Sequence, residues 1–195
     1  YYLKKWVDAS VNPDAIFQFG LDEIEKVKQE MKHIRENSGM NKSDFKTYLN
    51  NPDFYLKNNQ NIQESYQSIK KLVDENAKVL FPFTESISEL KIDKGTNESL
   101  AHVPAYYTNK TFYYNYFGDA YAKRQMGWTY IHEGVPGHHY QMSVNSLVKR
   151  SEIQSLFRYY GFIEGWGAYV EQFCIALQAC QTDLDDYGKY EWDLV

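Results

Sequence analysis

The 195-residue sequence predicts an α+β fold that is mostly helical and carries one small antiparallel sheet. Three observations support this class. Long stretches place apolar residues three and four positions apart, which is the spacing of an amphipathic helix. Two short runs rich in tyrosine and phenylalanine flank residues 108–110 and are typical of strands. Helical spacing then returns after Asp119 and continues through most of the remaining chain.

The first predicted helix begins at Asn12, a capping residue followed by Pro13 and the acidic Asp14. We expect Gly20 to interrupt it. Beyond this glycine, one apolar face is formed by Ile24, Val27, Met31 and Ile34. The helix is expected to stop at residues 37–39, which are Asn, Ser and Gly.

Two further helices are predicted before the sheet. Ser43 is expected to cap a short helix that reaches about Asn50, and Pro52 breaks the chain after it. A longer helix is predicted from apolar residues spaced through positions 62–79, and it ends near Pro82.

The sheet is predicted between residues 88 and 116. Residues 88–93 alternate in the manner of a strand, and residues 94–99 form a turn-rich connection. The segment AHVPAYYTNKTFYYNYF then provides two β-prone runs around the turn at residues 108–110. Together these segments predict a hairpin or a small antiparallel sheet.

Two helical stretches are predicted after the sheet. The first is interrupted at residues 136–137, which are Pro and Gly, and reaches about Leu147. The second is expected to run through residues 151–180 despite three glycines. Cys174 and Cys180 lie six positions apart in this predicted helix, where they would face different sides, so no disulfide is expected between them.

The composition narrows the class of protein. Hydrophobic residues make up 43% and charged residues 24%, which is ordinary for a globular chain and argues against intrinsic disorder. The net charge of −5 argues against a nucleic-acid partner, and no apolar run is long enough for a membrane span. Because the chain lacks a starting Met and a terminating signal, residues 1–195 are expected to be a single segment cut from a longer protein.

Three of the five histidines fall within residues 132–139, in YIHEGVPGHHYQ. Neutral imidazoles and a carboxylate beside an activated water are what a zinc hydrolase requires. In the common H-E-x-x-H form, the two ligands are four positions apart on one helical face. Here His132 and Glu133 provide the first two positions, but Pro136 occupies the fifth.

Helix geometry determines what this departure implies. In a straight helix, residues six apart differ by about 240° around the axis, and residues seven apart stand about 10 Å apart along it. Neither pair could share one zinc ion. The sequence therefore predicts a helix break at Pro136 and Gly137 that brings His138 into the position of the second ligand. His139 would then point elsewhere, toward substrate or toward a ligand as a hydrogen-bond donor.

A third ligand is predicted in FIEGWGAYVEQF. Glu164 lies 26 residues after His138 on a predicted antiparallel helix, and the glycines around it would allow a close approach to the histidines. Glu171, seven residues further and on the same face, is expected to accept a hydrogen bond from the other ring nitrogen of a ligand histidine.

The segments HEGVPGHHYQ and EGWGAYVEQF together resemble the bacterial family catalogued as domain of unknown function 885. Members of that family share an HExxPGHH segment and a later EGWA-like segment. The likeness extends upstream to GLDEIEKVKQEM and VPAYYTNKTFYYN, so it covers most of the chain. It implies a zincin-like core and a zinc metallopeptidase of the gluzincin type, with His132, His138 and Glu164 as ligands and Glu133 as the base.

HEGVPGHHYQ is also similar to the H-E-x-G-H segment of carboxypeptidases of the Taq type, with Val135 and Pro136 added. This likeness favours His138 over His139 as the second ligand. The aromatic run through residues 106–116 resembles the edge strand along which such peptidases bind an extended substrate.

The predicted function is zinc-dependent hydrolysis of peptide bonds, with Glu133 as general base. Candidates for the oxyanion donor are Tyr107, Arg158 and Tyr159. Two alternatives stay open: a non-catalytic helical module that binds a peptide or glycan, and a metal-dependent esterase or amidase. The sequence also leaves open the activity of the isolated segment, its oligomeric state and its compartment, which could be cytoplasmic, periplasmic or a lipid-anchored exported location.

Overall fold

The computed structural model describes residues 10–195. The helices in this part of the chain are α1 (Pro13–Asn37), α2 (Lys42–Leu49), α3 (Asn59–Leu80), α4 (Met126–Glu133), α5 (His138–Leu147), α6 (Glu152–Leu156), α7 (Tyr160–Val170) and α8 (Asp183–Asp193). The strands are β1 (Tyr55–Leu56), β2 (Lys91–Lys94), β3 (Ala105–Thr108), β4 (Thr111–Tyr114) and β5 (Tyr121–Ala122). The chain is mostly helical with small sheets, which confirms the predicted α+β class. Across residues 10–195, none of the helices has both the length and the apolar character needed to cross a bilayer.

The central sheet has three strands in the order β2–β4–β3. β3 and β4 form the predicted hairpin, and its two turn residues, Asn109 and Lys110, have positive φ angles of 49° and 62°. β2, however, pairs with β4 in parallel. The prediction of a purely antiparallel sheet was therefore wrong, because residues 95–104 carry the chain past β4 to its far side before β3 begins. β1 and β5 form a separate antiparallel pair.

The core lies between α3, the central sheet and α4. Tyr66 of α3 is fully buried, and its ring centroid lies 4.6 Å from that of Phe112 and 5.7 Å from that of Tyr114. Its hydroxyl is hydrogen-bonded to that of Tyr121 at 2.7 Å. On α4, Tyr130 and Ile131 are also fully buried in this core. The helix that ends in the first histidine of the motif is thus anchored by the core.

The helix starts follow local capping chemistry. Asn12 Oδ1 accepts the backbone N–H of Asp14 at 2.9 Å, as predicted for α1. Asn41, rather than Ser43, caps α2 in the same way. Gly20 does not interrupt α1, because a single glycine costs a helix only about 1 kcal/mol and the flanking turns outweigh it.

The second stretch after the sheet differs most from its prediction. Instead of one helix over residues 151–180, the chain forms α6, α7 and a short 3₁₀ turn, then loops back before α8. Gln178 adopts a positive φ of 61° in this loop. The loop brings the Cα atoms of Cys174 and Cys180 to 5.2 Å, and the two cysteines form a disulfide. The expectation of unpaired cysteines was wrong because it assumed that they lay on a continuous helix.

Candidate metal centre

The helix break between α4 and α5 is formed by residues 134–137, where the sequence predicts it. Gly137 is required there, because a Cβ atom at this position would lie 1.8 Å from the carbonyl oxygen of His132. Trp166 of α7 donates its indole N–H to the carbonyl oxygen of Pro136 at 2.8 Å. The break is thereby attached to the neighbouring helix.

The break brings His132 and His138 together. Their ring centroids lie 4.8 Å apart, and the ring planes are nearly perpendicular at 89°. Possible ligand atoms of His132, Glu133 and His138 all lie within 4.8 Å of one another. These three residues form a group that could hold a metal ion.

Glu164 approaches both imidazoles from α7. Its Oε2 atom lies 3.8 Å from Nε2 of His132 and 3.4 Å from Nε2 of His138. Ligand atoms of a tetrahedral zinc site with bonds near 2.0–2.1 Å are separated by about 3.3 Å. The two distances are close to that value, so the imidazoles and the carboxylate have the chemistry and the spacing of groups that could share one metal ion. Glu164 is also the exposed member, with 62% of its side chain accessible against 17% and 11% for the two histidines.

Glycine allows this approach of α7. A Cβ atom at Gly167 would lie 2.7 Å from Nε2 of His132, whereas one at Gly165 would meet no atom within 4 Å. Of these two glycines, Gly167 therefore sets how closely the helix packs on the imidazole.

Glu171 contacts the other ring nitrogen of His132, Nδ1. Its carboxylate is buried, and Oε1 accepts the Nδ1–H of His132 at 2.6 Å. This leaves Nε2 of His132 facing Glu164. The second oxygen of Glu171 lies 3.2 Å from Nζ of Lys189 on α8, a residue that sequence reasoning did not identify. The Nδ1 atom of His138 is buried and has no hydrogen-bond partner among the described residues.

The histidines and carboxylates of the site shift one another's pKa values. Burial lowers the pKa of His132, but the nearby carboxylates of Glu164 and Glu171 outweigh it and raise that pKa to about 10. The imidazoles of His132 and His138, which face its carboxylate, hold the pKa of Glu164 well below its ordinary value. Burial raises the pKa of Glu133, although the two imidazoles act in the opposite direction. Carboxylates thus surround the two rings and favour a cation between them.

His139 is directed away from this group. Its Nε2 lies 2.7 Å from the carbonyl oxygen of Ser88, which can only accept, so Nε2 carries the proton. Its Nδ1 atom then accepts a hydrogen bond from the hydroxyl of Tyr107 at 3.2 Å. Both ring nitrogens of His139 form hydrogen bonds on the sheet side of the molecule, and the partly buried Tyr107–His139 contact joins α5 to β3.

The three oxyanion candidates lie in different parts of the molecule. The Tyr107 hydroxyl faces His139, but its backbone N–H lies against the Glu133 carboxylate and acts to lower the pKa of that group. Arg158 and Tyr159 are exposed in the connection between α6 and α7. Neither side chain forms a hydrogen bond or ion pair with the histidines or acids of the site.

The fold and the site define a mostly helical α+β protein whose helix break presents a His–Glu group able to hold a metal ion. The chain belongs to the family described as "Bacterial protein of unknown function (DUF885)", whose model matches residues 1–195. This match confirms the family resemblance of the sequence motifs. No curated protein matches the chain.

Proposed function

We propose that this chain carries the zinc site of a peptide-bond hydrolase, with His132, His138 and Glu164 as ligands and Glu133 as general base. The observation that carries the proposal is the convergence of the two Nε2 atoms on one Glu164 oxygen, at 3.8 and 3.4 Å. Two imidazoles and one carboxylate form a common ligand set of catalytic zinc, which leaves a coordination position open.

Zinc held by these residues would polarise a substrate carbonyl and increase the acidity of a water molecule. The remaining chemistry belongs to Glu133. Its carboxylate directly follows the first ligand in the chain and is positioned to accept a proton from the attacking water, then to pass it to the leaving amine. Burial raises its pKa, which brings this group closer to the pH at which proton transfer in both directions is efficient.

The strand β3 supports a peptide as the substrate. β3 is an edge of the three-stranded sheet, and its pairing with β4 places Tyr107 opposite Phe112. In a two-residue hairpin, this pair is not hydrogen-bonded, so the N–H and C=O groups of Tyr107 point to the free edge. The N–H lies against Glu133, and the C=O is available to accept a hydrogen bond from an extended peptide backbone.

The test measures zinc content and hydrolysis of a peptide library by the full chain and its Glu133→Gln variant. We expect Glu133→Gln to keep zinc and to lose about 10²- to 10⁴-fold in kcat/KM, because it removes the proton acceptor and leaves the ligands in place. The control is Glu152→Gln, the same substitution at an exposed acid in the first turn of α6.

Equal hydrolysis by the two variants would contradict the role of Glu133. Zinc binding without cleavage of any library peptide would favour a non-catalytic module. A parallel set of ester substrates distinguishes a peptidase from an esterase.

A further inference from the structure

Lys189 connects the last helix, α8, to the candidate metal centre. Its Nζ atom lies 3.2 Å from Oε2 of Glu171 and 2.6 Å from Oδ2 of Asp193. The other oxygen of Glu171 accepts the Nδ1–H of His132. An unbroken series of charged contacts therefore runs from Asp193 through Lys189 and Glu171 to His132.

Glu171 needs this second partner because its carboxylate is almost completely buried, with 4% of the side chain accessible. Burying a carboxylate is unfavourable unless both of its oxygens find donors. His132 serves one oxygen, and Lys189 supplies a positive charge and a donor at the other. Without Lys189, the carboxylate would be free to rotate away from the imidazole.

The position of Lys189 is set by contacts that do not involve Glu171. At Gly188, a Cβ atom would lie 2.4 Å from the carbonyl oxygen of Arg124, so glycine allows α8 to pack tightly against the turn before α4. Nε of Arg124 donates to Oε2 of Glu191 at 2.7 Å. The rings of Trp128 and Trp192 stack with centroids 5.9 Å apart. α8 is thus held independently at the start of the helix that carries His132.

We infer that Lys189 is a positioning residue of the metal centre: it holds Glu171 in the orientation that directs Nε2 of His132 toward the cation. A hydrogen-bonded carboxylate on the far ring nitrogen fixes the tautomer and the ring orientation of a histidine ligand. Lys189, from α8, holds that carboxylate in place in turn. The inference rests on the proposed metal site and does not depend on the reaction catalysed there.

The experiment compares the apparent Kd for zinc of the full chain and its variants, by competition with a chromophoric chelator at one fixed pH. We expect Lys189→Met to bind zinc about 10-fold more weakly, the lower end of the effect of outer partners on metal affinity. Lys189→Arg keeps the charge and the donor, and it should bind zinc within about 2-fold of the unaltered chain. Thermal unfolding of each metal-free variant shows that it is folded.

The matched control is Glu191→Gln on the same helix. It removes the ion pair with Arg124, and so weakens the docking of α8, while leaving Lys189 against Glu171. We expect a lower thermal midpoint and an unchanged Kd for zinc. If Glu191→Gln and Lys189→Met weaken zinc binding equally, Lys189 acts only through helix docking and the inference is wrong.

Two further results would overturn the inference. The first is a Kd for Lys189→Met equal to that of the unaltered chain, which would leave the proposed zinc site standing. The second is zinc binding by Lys189→Arg that is as weak as the binding expected of Lys189→Met. This result would overturn the inference even if Lys189→Met does not fold. An unaltered chain that binds no zinc would instead refute the metal site itself.

Discussion

The two helical stretches that form the candidate metal centre differ in how they are buried. In the first, α4, the break and α5, residues 126–131 are buried, and so are His138 and His139. In the second, α6 and α7, most residues are exposed, and Glu164 is among them. The two imidazoles are therefore mostly shielded by the packed interior, whereas the carboxylate opposite them lies at the surface.

The difference in burial gives the two stretches different roles in the site. The buried stretch positions the rings through the core, the break and the contact of His132 with Glu171. The exposed stretch leaves one side of the site accessible to solvent, which the proposed catalytic site would need for its open position. Changes where the two stretches touch should therefore have larger effects than changes further along the second stretch.

The largest effect is expected at Gly167, where α7 contacts the ring of His132. Gly167→Ala would place a Cβ atom 2.7 Å from Nε2 of that ring, so one of the two must move. We expect a loss of about 1–3 kcal/mol in the free energy of unfolding, the range for overpacking, together with weaker zinc binding.

Gly165→Ala on the same helix is the control for this change. Its Cβ would meet no atom within 4 Å, and alanine is the better helix former, so stability should stay equal or rise by up to about 1 kcal/mol. Denaturant unfolding and zinc titration of both variants make the comparison. If the two substitutions behaved alike, close packing at Gly167 would not control the site.

An intermediate effect is expected at the end of the second stretch, from the disulfide between Cys174 and Cys180. Replacing both cysteines with serine should lower the free energy of unfolding by about 2 kcal/mol, because the short closed loop limits the unfolded chain. Urea unfolding with and without reductant measures this loss. Reductant should lower the free energy of unfolding of the oxidised chain and leave that of the double variant unchanged. If reductant does not change the stability of the unaltered chain, that result would argue against the disulfide.

The smallest effect, taken per pH unit, is expected from the titration of His132 in the metal-free chain. His132 has its pKa raised from 6.5 to about 10, so its contribution to stability is fully present below pH 6.5 and is lost as the pH rises toward 10. The decline should not exceed about 1.4 kcal/mol per pH unit for this single proton. Urea midpoints between pH 6 and 10 should show a shallower slope in His132→Gln, and an unchanged slope would assign the titration to other groups.

Local sequence chemistry was sufficient to predict several features. Asn12 and Pro13 predict the start of α1, and the hairpin with its turn near residues 108–110 follows from the aromatic runs around it. The break at Pro136 and Gly137 could be predicted because a straight helix cannot bring two histidines six apart to one ion.

The features that sequence reasoning missed depend on contacts between distant residues. The parallel pairing of β2 depends on the path of residues 95–104, which carries no local signal. The disulfide requires a chain reversal at Gln178, where neither glycine nor proline indicates a turn. In the sequence, nothing distinguishes Lys189 from other charged residues. The role that we infer for it depends on α8, which places its Nζ atom 3.2 Å from Glu171.

Anomalous diffraction at the zinc edge, from crystals of the full chain grown with zinc, tests most directly whether His132, His138 and Glu164 share one cation. We expect a single strong peak at about 2.0–2.2 Å from Nε2 of both imidazoles and from one Glu164 oxygen, with Glu133 beside it but not bound. A peak that has Glu133 as a ligand in place of Glu164, or no peak between the two imidazoles, would contradict the proposed site.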